Sequence, residues 1–584
     1  MNDKEQWFED NYEPFWLLDN DPRSSQIDIL KDIDEALNSG YKNIIVNAGV
    51  GIGKSAIANT IQNIHNSSYI CTKTTNLQNQ YIKDFKNLVE FKGRPHYKCN
   101  YYERTCAECY MKYLTEFGTV EKKKPELNTH GRKFEFYPNV PEEKYYEIIQ
   151  ELPMYPCLDC KYLEALNNAQ KNPYVVVNYH SLYYNSIIQK RLFPREMIVF
   201  DECHNLENVA KEIVTFTISP NQLYNAYDIN VFDTNSESQL KSMDYWITKL
   251  GAIEDILNEQ RNEYQSRLDN IDIYFNNLID SINLRKVINE IDIKLSELNY
   301  NISLLEDGMY VELPNMSQRR LFVEGNKITF KPVFGEKYTK NFLSMGETRL
   351  FLTGTLPKPK VYCEWIGLNY DDVKLINKKS PYPVTNRPIV FYPIDNFNGT
   401  KDEYGNYDWM KYDNIDRIKK ILLDHYDENI VIHTTSNDQS NWLYNNLHNE
   451  FDCVIAVGNN RDEIIEQFKR NKIPNILISP SIKEGVDFKG DLCTVQIILK
   501  LPRPPFAGVN RERTKIYHDS EYMNYFTAIN LMQAYGRGVR TEKDNCITYI
   551  VDKEFKKWYN RFGRHYLDEY FKEGYKEGLK FNNK

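Results

Sequence analysis

No apolar run in this chain approaches the length of a membrane-crossing helix. Segments such as Ile198–Phe200 and Ile497–Leu499 fall far short of the roughly 18 consecutive apolar residues a span needs. The stretch from Met1 to Trp7 lacks a basic segment followed by an apolar one. No secretory signal is therefore expected, and a reducing cytoplasm is the expected compartment. An excess of positive charge is missing too: 73 Lys and Arg stand against 82 Asp and Glu, a formal charge of −9. That excludes a chain coated in positive charge but leaves room for a local basic channel, because the field a nucleic acid meets is local. Glycine is sparse at 25 of 584 residues, and there is no short-period repeat or low-complexity segment. Collagen-like and wholly disordered chains are excluded. With 41% hydrophobic and 27% charged residues, the composition is that of a soluble globular protein, of about four units at roughly 150 residues each.

Cysteine, by contrast, is plentiful. Of the eleven, Cys71, Cys203, Cys363, Cys453, Cys493 and Cys546 are scattered and read as small buried side chains. The other five, Cys99, Cys106, Cys109, Cys157 and Cys160, are grouped and include two Cys-x-x-Cys pairs, which is metal-ligand spacing. Thiolates suit both an iron–sulfur cluster and Zn²⁺, so ligand type alone leaves both open.

Residues 23–98 alternate between two periods. A helical pattern (Ile27, Leu30, Ile33, Leu37) leads into a strand at Asn43–Asn47, a Gly-rich turn and a helix from Ser55; a strand at Tyr69–Thr72 and a helix from Asn76 follow. Such alternation predicts a parallel sheet covered on both faces. From 99 to 160 the pattern breaks into mixed cysteines, aromatics and charges, as in an insertion that needs a metal to hold it. Strand character returns at Tyr174–Asn178 and Met197–Phe200. Residues 207–310 read as helical, with Ile253, Leu257, Tyr264, Leu268, Ile271, Phe275, Leu278 and Ile282, then Val287, Ile291, Leu295 and Leu298, at mostly three- and four-residue steps. These are expected to be core faces of packed helices. Short strands are expected at Ile328–Lys331 and Arg349–Thr353. A second α/β pattern from 385 onward carries strands at Ile389–Tyr392, Asn429–His433, Asn475–Ser479, Val495–Leu499 and Ile547–Val551.

Three constellations carry chemistry. Ala48-Gly49-Val50-Gly51-Ile52-Gly53-Lys54-Ser55 lies between a strand and a helix. Glycines there let backbone N–H groups turn toward an anion, Lys54 serves the β/γ-phosphates, and Ser55 serves Mg²⁺. Ala48 replaces the first glycine of the strict pattern. Met197-Ile198-Val199-Phe200-Asp201-Glu202-Cys203-His204 ends a buried strand in two carboxylates. Asp201 is the candidate to hold Mg²⁺, and Glu202 to orient and deprotonate the attacking water. In Gln533-Ala534-Tyr535-Gly536-Arg537-Gly538-Val539-Arg540, the two arginines are three apart and would share a face of a helix. Such a pair can reach across a cleft to a γ-phosphate.

In this order the motifs resemble the XPD/DinG-type superfamily 2 helicases, from Arg23 to Asp552. Pro22-Arg23-Ser24-Ser25-Gln26 is similar to the family's motif ahead of the P-loop, Thr72 through Gln80 to motif Ia, and Asp201-Glu202-Cys203-His204 to its DEAH/DECH box. Thr353-Gly354-Thr355-Leu356 is similar to motif III. Ser481 through Gly490, followed by Leu501-Pro502-Arg503-Pro504-Pro505, is similar to motif V and its sequel, and Gln533 through Arg540 to motif VI.

The resemblance implies an α/β fold of two RecA-like parallel-sheet lobes, the first carrying a cysteine-rich iron–sulfur insertion and a mostly helical Arch-like insertion. The corresponding boundaries are 1–98 for the start of lobe one, 99–160 for the cluster insertion, 161–206 for lobe one continued, and 207–330 for the Arch-like part. Residues 331–384 would close lobe one and form the linker, and 385–584 would form lobe two. The implied activity is that of an ATP-dependent DNA helicase moving 5′→3′ on single-stranded DNA and unwinding tailed duplexes. A translocase that displaces proteins without unwinding uses the same motor and is the alternative; a non-motor scaffold is disfavoured by the Arg537/Arg540 pair. The catalytic set is Lys54, Asp201, Glu202, Gln533, Arg537 and Arg540. Nucleotide contacts fall to Arg23, Gln26, Gly49, Gly51, Gly53, Lys54, Ser55 and Asp487, and Mg²⁺ to Ser55 and Asp201. The family's four-cysteine [4Fe–4S] cluster maps onto Cys99, Cys106, Cys109 and Cys160, with Cys157 in reserve and Zn²⁺ the other possibility. Thr74, Gln80, Thr355 and Ser481 are strand-facing candidates, and Lys122-Lys123-Lys124 could lie along the strand's path. No membrane association is expected, the chain is expected to be a monomer, and nothing points to a protein partner.

Overall fold

The computed structural model describes residues 3–49, 51–99, 105–106, 127–128, 131–132, 160–233, 236–270, 278–314, 326–399, 401–470, 475–480, 488 and 490–581. Cys109, Cys157, Ser481, Asp487 and the three-lysine run at 122–124 lie outside them.

Two parallel sheets organise the chain. The first runs in the order Val373–Lys378, Asn43–Ala48, Gly346–Thr353, Arg195–Asp201, Ser68–Thr72, Tyr174–Asn178 and Val89–Phe91, with every pairing parallel. Its strands are near-continuous apolar runs because helices cover both faces. Alternate residues feed different cores. Ile45, Cys71, Val175, Val177, Ile198 and Phe200 enter one cluster; Ile44, Val46, Ile70, Val176, Met197 and Val199 enter the other. A one-residue slip in register would exchange the two sets.

The second sheet runs Ile389–Asp395, Ile547–Asp552, Val495–Ile498, Ile430–His433, Ile476–Ser479 and Cys453–Ile455, again all parallel. The structure therefore has the two α/β lobes expected. Three of these strands, Val89–Phe91 and Val373–Lys378 in the first sheet and Cys453–Ile455 in the second, carry no readable period of their own. They are short or lie at sheet edges, where one neighbour suffices.

Between the two carboxylates and the Gly346–Thr353 strand the chain forms a helical pair, Met243–Asp269 and Leu278–Glu306. The expected stripe is buried at Ile253, Leu257, Ile291 and Leu295, each worth about 1.5–3 kcal/mol of apolar burial. Ile271 and Phe275 lie outside the described residues. Residues 207–330 are not helical throughout. Ile328–Lys331 does not join the first lobe's sheet; it pairs antiparallel with Phe216–Ile218 and Tyr310–Glu312 in a three-stranded sheet of its own. Ile328 and Phe330 point into the core and Thr329 and Lys331 do not, the alternation of a one-sided sheet.

The lobes meet through a buried ionic contact. Arg513 of the second lobe is 1% exposed and pairs with Glu207 at 2.5 Å and with Asp519 at 2.7 Å. Its guanidinium packs against the rings of Trp365 and Tyr522 at 4.5 and 4.3 Å. Lys358 and Glu521 add a second bridge at 2.6 Å.

Candidate nucleotide site between the two lobes

Sheet register brings the site together. Asn47 lies opposite Thr353, and Leu352 opposite Asp201. The C-terminal ends of three neighbouring strands therefore share the edge where ligands of open parallel sheets gather.

The phosphate loop leaves the Asn43–Ala48 strand and enters the helix Lys54–Asn63. Gly51 and Gly53 have φ of 87° and 82°, conformations that side chains with a Cβ avoid, and Gly53 is the helix N-cap. Lys54 Nζ donates to the Ala48 carbonyl at 3.2 Å. Arg23 and Gln26 stand at this loop. The Gln26 side chain accepts from the Arg23 backbone N–H at 2.8 Å, and the Arg23 guanidinium donates to the Gly51 carbonyl. A Cβ on Gly53 would collide with Gln26 Nε2, and one on Gly49 would press on Ser380.

Asp201 closes its strand at 5% exposure, and the Tyr81 hydroxyl donates to its Oδ2 at 3.1 Å. Ser55 shares that phenol. The two residues expected to hold Mg²⁺ thus converge on one side chain, so this oxygen donor set fits a hard divalent cation. Burial, then the neighbouring Glu202 charge, pushes the Asp201 carboxyl up to about 7.

Glu202 adopts the left-handed region at φ 49°, uncommon for a residue with a side chain. Its carboxylate enters the cleft, 3.4 Å from His204 Nδ1. Burial would raise its pKa, but Lys54, His204, Arg537 and Arg540 outweigh that and hold it below the ordinary glutamate value. It is therefore ionised, as a base must be to accept a proton.

His204 is the residue that motif reading undervalued. Its Nδ1 meets Thr353 Oγ1 at 2.9 Å and Thr355 Oγ1 at 3.4 Å, and its Nε2 meets the amide nitrogens of Asn205 at 2.9 Å and Gln533 at 2.6 Å. Both ring nitrogens are thus engaged, and Nε2 is the one that reaches the second lobe. One imidazole therefore joins the carboxylate pair, the Thr353-Gly354-Thr355 turn and the second lobe. As fourth letter of the Asp-Glu-Cys-His box it was visible in the sequence; its partners were not.

Two expectations are corrected. Arg537 and Arg540 do not share a helix face: the helix Tyr522–Tyr535 ends before them, and Gly536 and Gly538 carry the chain around a turn. A Cβ on Gly538 would collide with Cys546 Sγ, so the turn passes too close to the sheet for a helix to continue. Both arginines nevertheless act on Glu202 from the second lobe. Thr355 is not strand-facing; it is 8% exposed and its N–H donates to Thr353 Oγ1. Thr74 caps the helix Thr75–Asp84 through the Leu77 N–H at 3.3 Å, and Gln80 is exposed.

Comparison with known proteins agrees with this geometry. Residues 420–570 match the helicase C-terminal domain model, and 19–224 match the model for the res subunit of type III restriction enzymes. The ATP-dependent DNA helicase YoaA of Haemophilus influenzae is 21% identical over 91% of each chain. A probable ATP-dependent helicase of Methanocaldococcus jannaschii is 26% identical over 72% of this chain and 74% of its own. A solved XPD helicase superposes with a TM-score of 0.56 at 15% identity, covering 94% of this chain and 98% of its own. Together these similarities support an XPD/DinG-type superfamily 2 helicase. An XPD structure without ligand shares the fold at a TM-score of 0.52, with 14% identity over 92% of this chain and 98% of its own.

The cysteine-rich segment is described in part. Thr105 bridges antiparallel to Lys98, and the Cys106 N–H donates to the Tyr97 carbonyl at 2.8 Å, which sets Cys106 against the segment that carries Cys99. Cys160 is the N-cap of the helix Lys161–Lys171 and shares a hydrogen bond with Cys106. That bond, with the Leu163 and Tyr162 N–H groups, outweighs burial and lowers the Cys160 thiol to about 6, while Cys106 is raised. Arg94 lies against Cys106 at 3.5 Å and over the Tyr162 ring at 4.1 Å. A thiolate favoured by a helix N-terminus and an arginine is suited to a soft metal centre. Among the described residues, no three His, Cys, Asp or Glu side chains are placed together for a metal ion. None of the described helices is long and apolar enough to cross a membrane.

Proposed function

We propose that the chain is an ATP-dependent DNA helicase that moves 5′→3′ along single-stranded DNA. The observation that carries the reading is His204, which joins the Asp201-Glu202 pair to Gln533 of the other lobe. Chemistry at the carboxylates and the position of the second lobe are then parts of one hydrogen-bonded unit. In this mechanism Gly49, Gly51, Gly53 and Lys54 cradle the phosphates, and Ser55 and Asp201 would hold Mg²⁺, which would supply charge neutralisation. Glu202 takes the proton of the attacking water. Arg537 and Arg540 approach the γ-phosphate from the second lobe, so closure of the lobes completes the site and hydrolysis releases it. Asp487 adds a nucleotide contact from its segment before Phe488.

Cys99, Cys106, Cys109 and Cys160 would hold a [4Fe–4S] cluster, which would cross-link the ends of the insertion through thiolate bonds. The Arch-like residues 207–330 would close over the strand beside it.

Strand displacement tests the reading, using duplexes with a 5′ or a 3′ single-stranded tail, ATP and Mg²⁺, and anaerobically purified protein. Displacement from the 5′ tail alone is the expected result, with none for Lys54→Ala. Displacement from the 3′ tail would overturn the polarity. DNA-stimulated hydrolysis without displacement would favour the translocase.

A further inference from the structure

We propose that Tyr382, in the linker between the lobes, is a positioning residue that sets how far Arg537 and Arg540 stand from the phosphate loop. The inference rests on the ATPase reading above. The linker leaves the Val373–Lys378 strand across the loop itself: the Gly49 N–H donates to the Lys378 carbonyl at 3.3 Å, and Ser380 leaves no room for a side chain at Gly49. Two residues on, Tyr382 reaches both lobes at once. Its ring is 4% exposed and belongs to a second-lobe core cluster with Val539, Cys546 and Phe488. Its hydroxyl donates to the Arg540 carbonyl and lies so close to Gly51 that any Cβ there would collide with it.

The other side of Arg540 is pinned as well. Asp544, 3% exposed, accepts from the Arg540 N–H at 2.7 Å and the Thr541 N–H at 2.8 Å. Its other oxygen accepts from the Gly490 N–H at 3.1 Å. The main chain of Arg540 is thus fixed at its nitrogen by Asp544 and at its carbonyl by Tyr382, while the same phenol rests on the phosphate loop. Beyond Tyr382 the linker is anchored by Arg387, which is 2% exposed, lies 3.8 Å from the Tyr570 ring and pairs with Glu573 at 2.9 Å. A spacer held this firmly at one end transmits the position of the loop to the arginines at the other. A guanidinium misplaced by a fraction of an ångström stabilises transition-state charge less, while ground-state binding of the nucleotide by the loop is unaffected.

ATP turnover and thermal melting of wild type, Lys54→Ala, Tyr382→Phe and Tyr382→Ala test the inference. Tyr382→Phe keeps the ring in its core and removes only the hydroxyl. It is expected to melt with wild type, to keep KM for ATP within about twofold, and to lose about fivefold in kcat, the worth of one hydrogen bond. Tyr382→Ala is expected to lose more. Asp544→Ala is expected to lower kcat too, and to add less than its own effect when combined with Tyr382→Phe, because both act on one residue's backbone. Wild-type kcat in Tyr382→Phe overturns the inference, as does a loss confined to KM or a lowered melting midpoint that accounts for the lost turnover. No turnover in wild type, or undiminished turnover in Lys54→Ala, instead overturns the ATPase reading and the inference with it.

Discussion

Glu202 shows how backbone and charge together make a base. Its left-handed conformation turns the carboxylate out of the strand's alternation, and the surrounding cations keep it ionised although Asp201 beside it is pushed up to about 7. Glu202→Gln keeps the shape and removes the proton acceptor. Turnover is expected to fall by about a hundredfold or more, with nucleotide binding retained, as checked by steady-state hydrolysis beside a binding titration. The identity of the pair was plain from four consecutive letters. The roles of His204 and Tyr81 were not, because their partners lie 149, 329 and 120 residues away in the chain.

Among the elements, the helix Glu569–Phe581 is capped by Asp568, which accepts from the Phe571 N–H at 2.8 Å. Burial raises its carboxyl from 3.8 to about 6, outweighing that bond. The folded chain therefore holds this proton more tightly than the unfolded one, so the group's contribution to stability falls as pH rises from about 4 to about 6. Asp568→Asn is expected to raise the melting midpoint at pH 8, with the gain shrinking toward pH 4. Arg513, in the helix Gly508–Lys515, supplies the opposite case: Arg513→Leu leaves Lys211 as the remaining ion-pair partner of the buried Glu207. It is expected to cost about 3–5 kcal/mol in denaturation, more than an exposed pair would. Strands with long apolar runs were legible; Val89–Phe91 and the three-residue strands of the helical insertion were not, since three residues hold too little period to separate strand from turn.

For the whole molecule, a formal charge of −9 confines any nucleic-acid contact to local basic surface. Binding of single-stranded DNA is accordingly expected to weaken linearly in log salt, by about 0.7 per phosphate contacted, in a fluorescence titration. Colorimetric iron and sulfide determination on anaerobic protein is expected to find a cluster, lost in Cys106→Ser; zinc in its place would overturn the iron–sulfur reading.

By itself the sequence determined the two α/β lobes, the order of the motifs and the letters of the nucleotide site, because those depend on local period and on short-range loop chemistry. Tertiary structure decided what those letters touch. Sheet order placed Thr353 between Ala48 and Asp201, and packing ended the second-lobe helix before Arg537 and threaded Tyr382 between Gly51 and Arg540. Each of these is a contact between distant segments, made by the packing of one lobe on another, and no local pattern of residues encodes it.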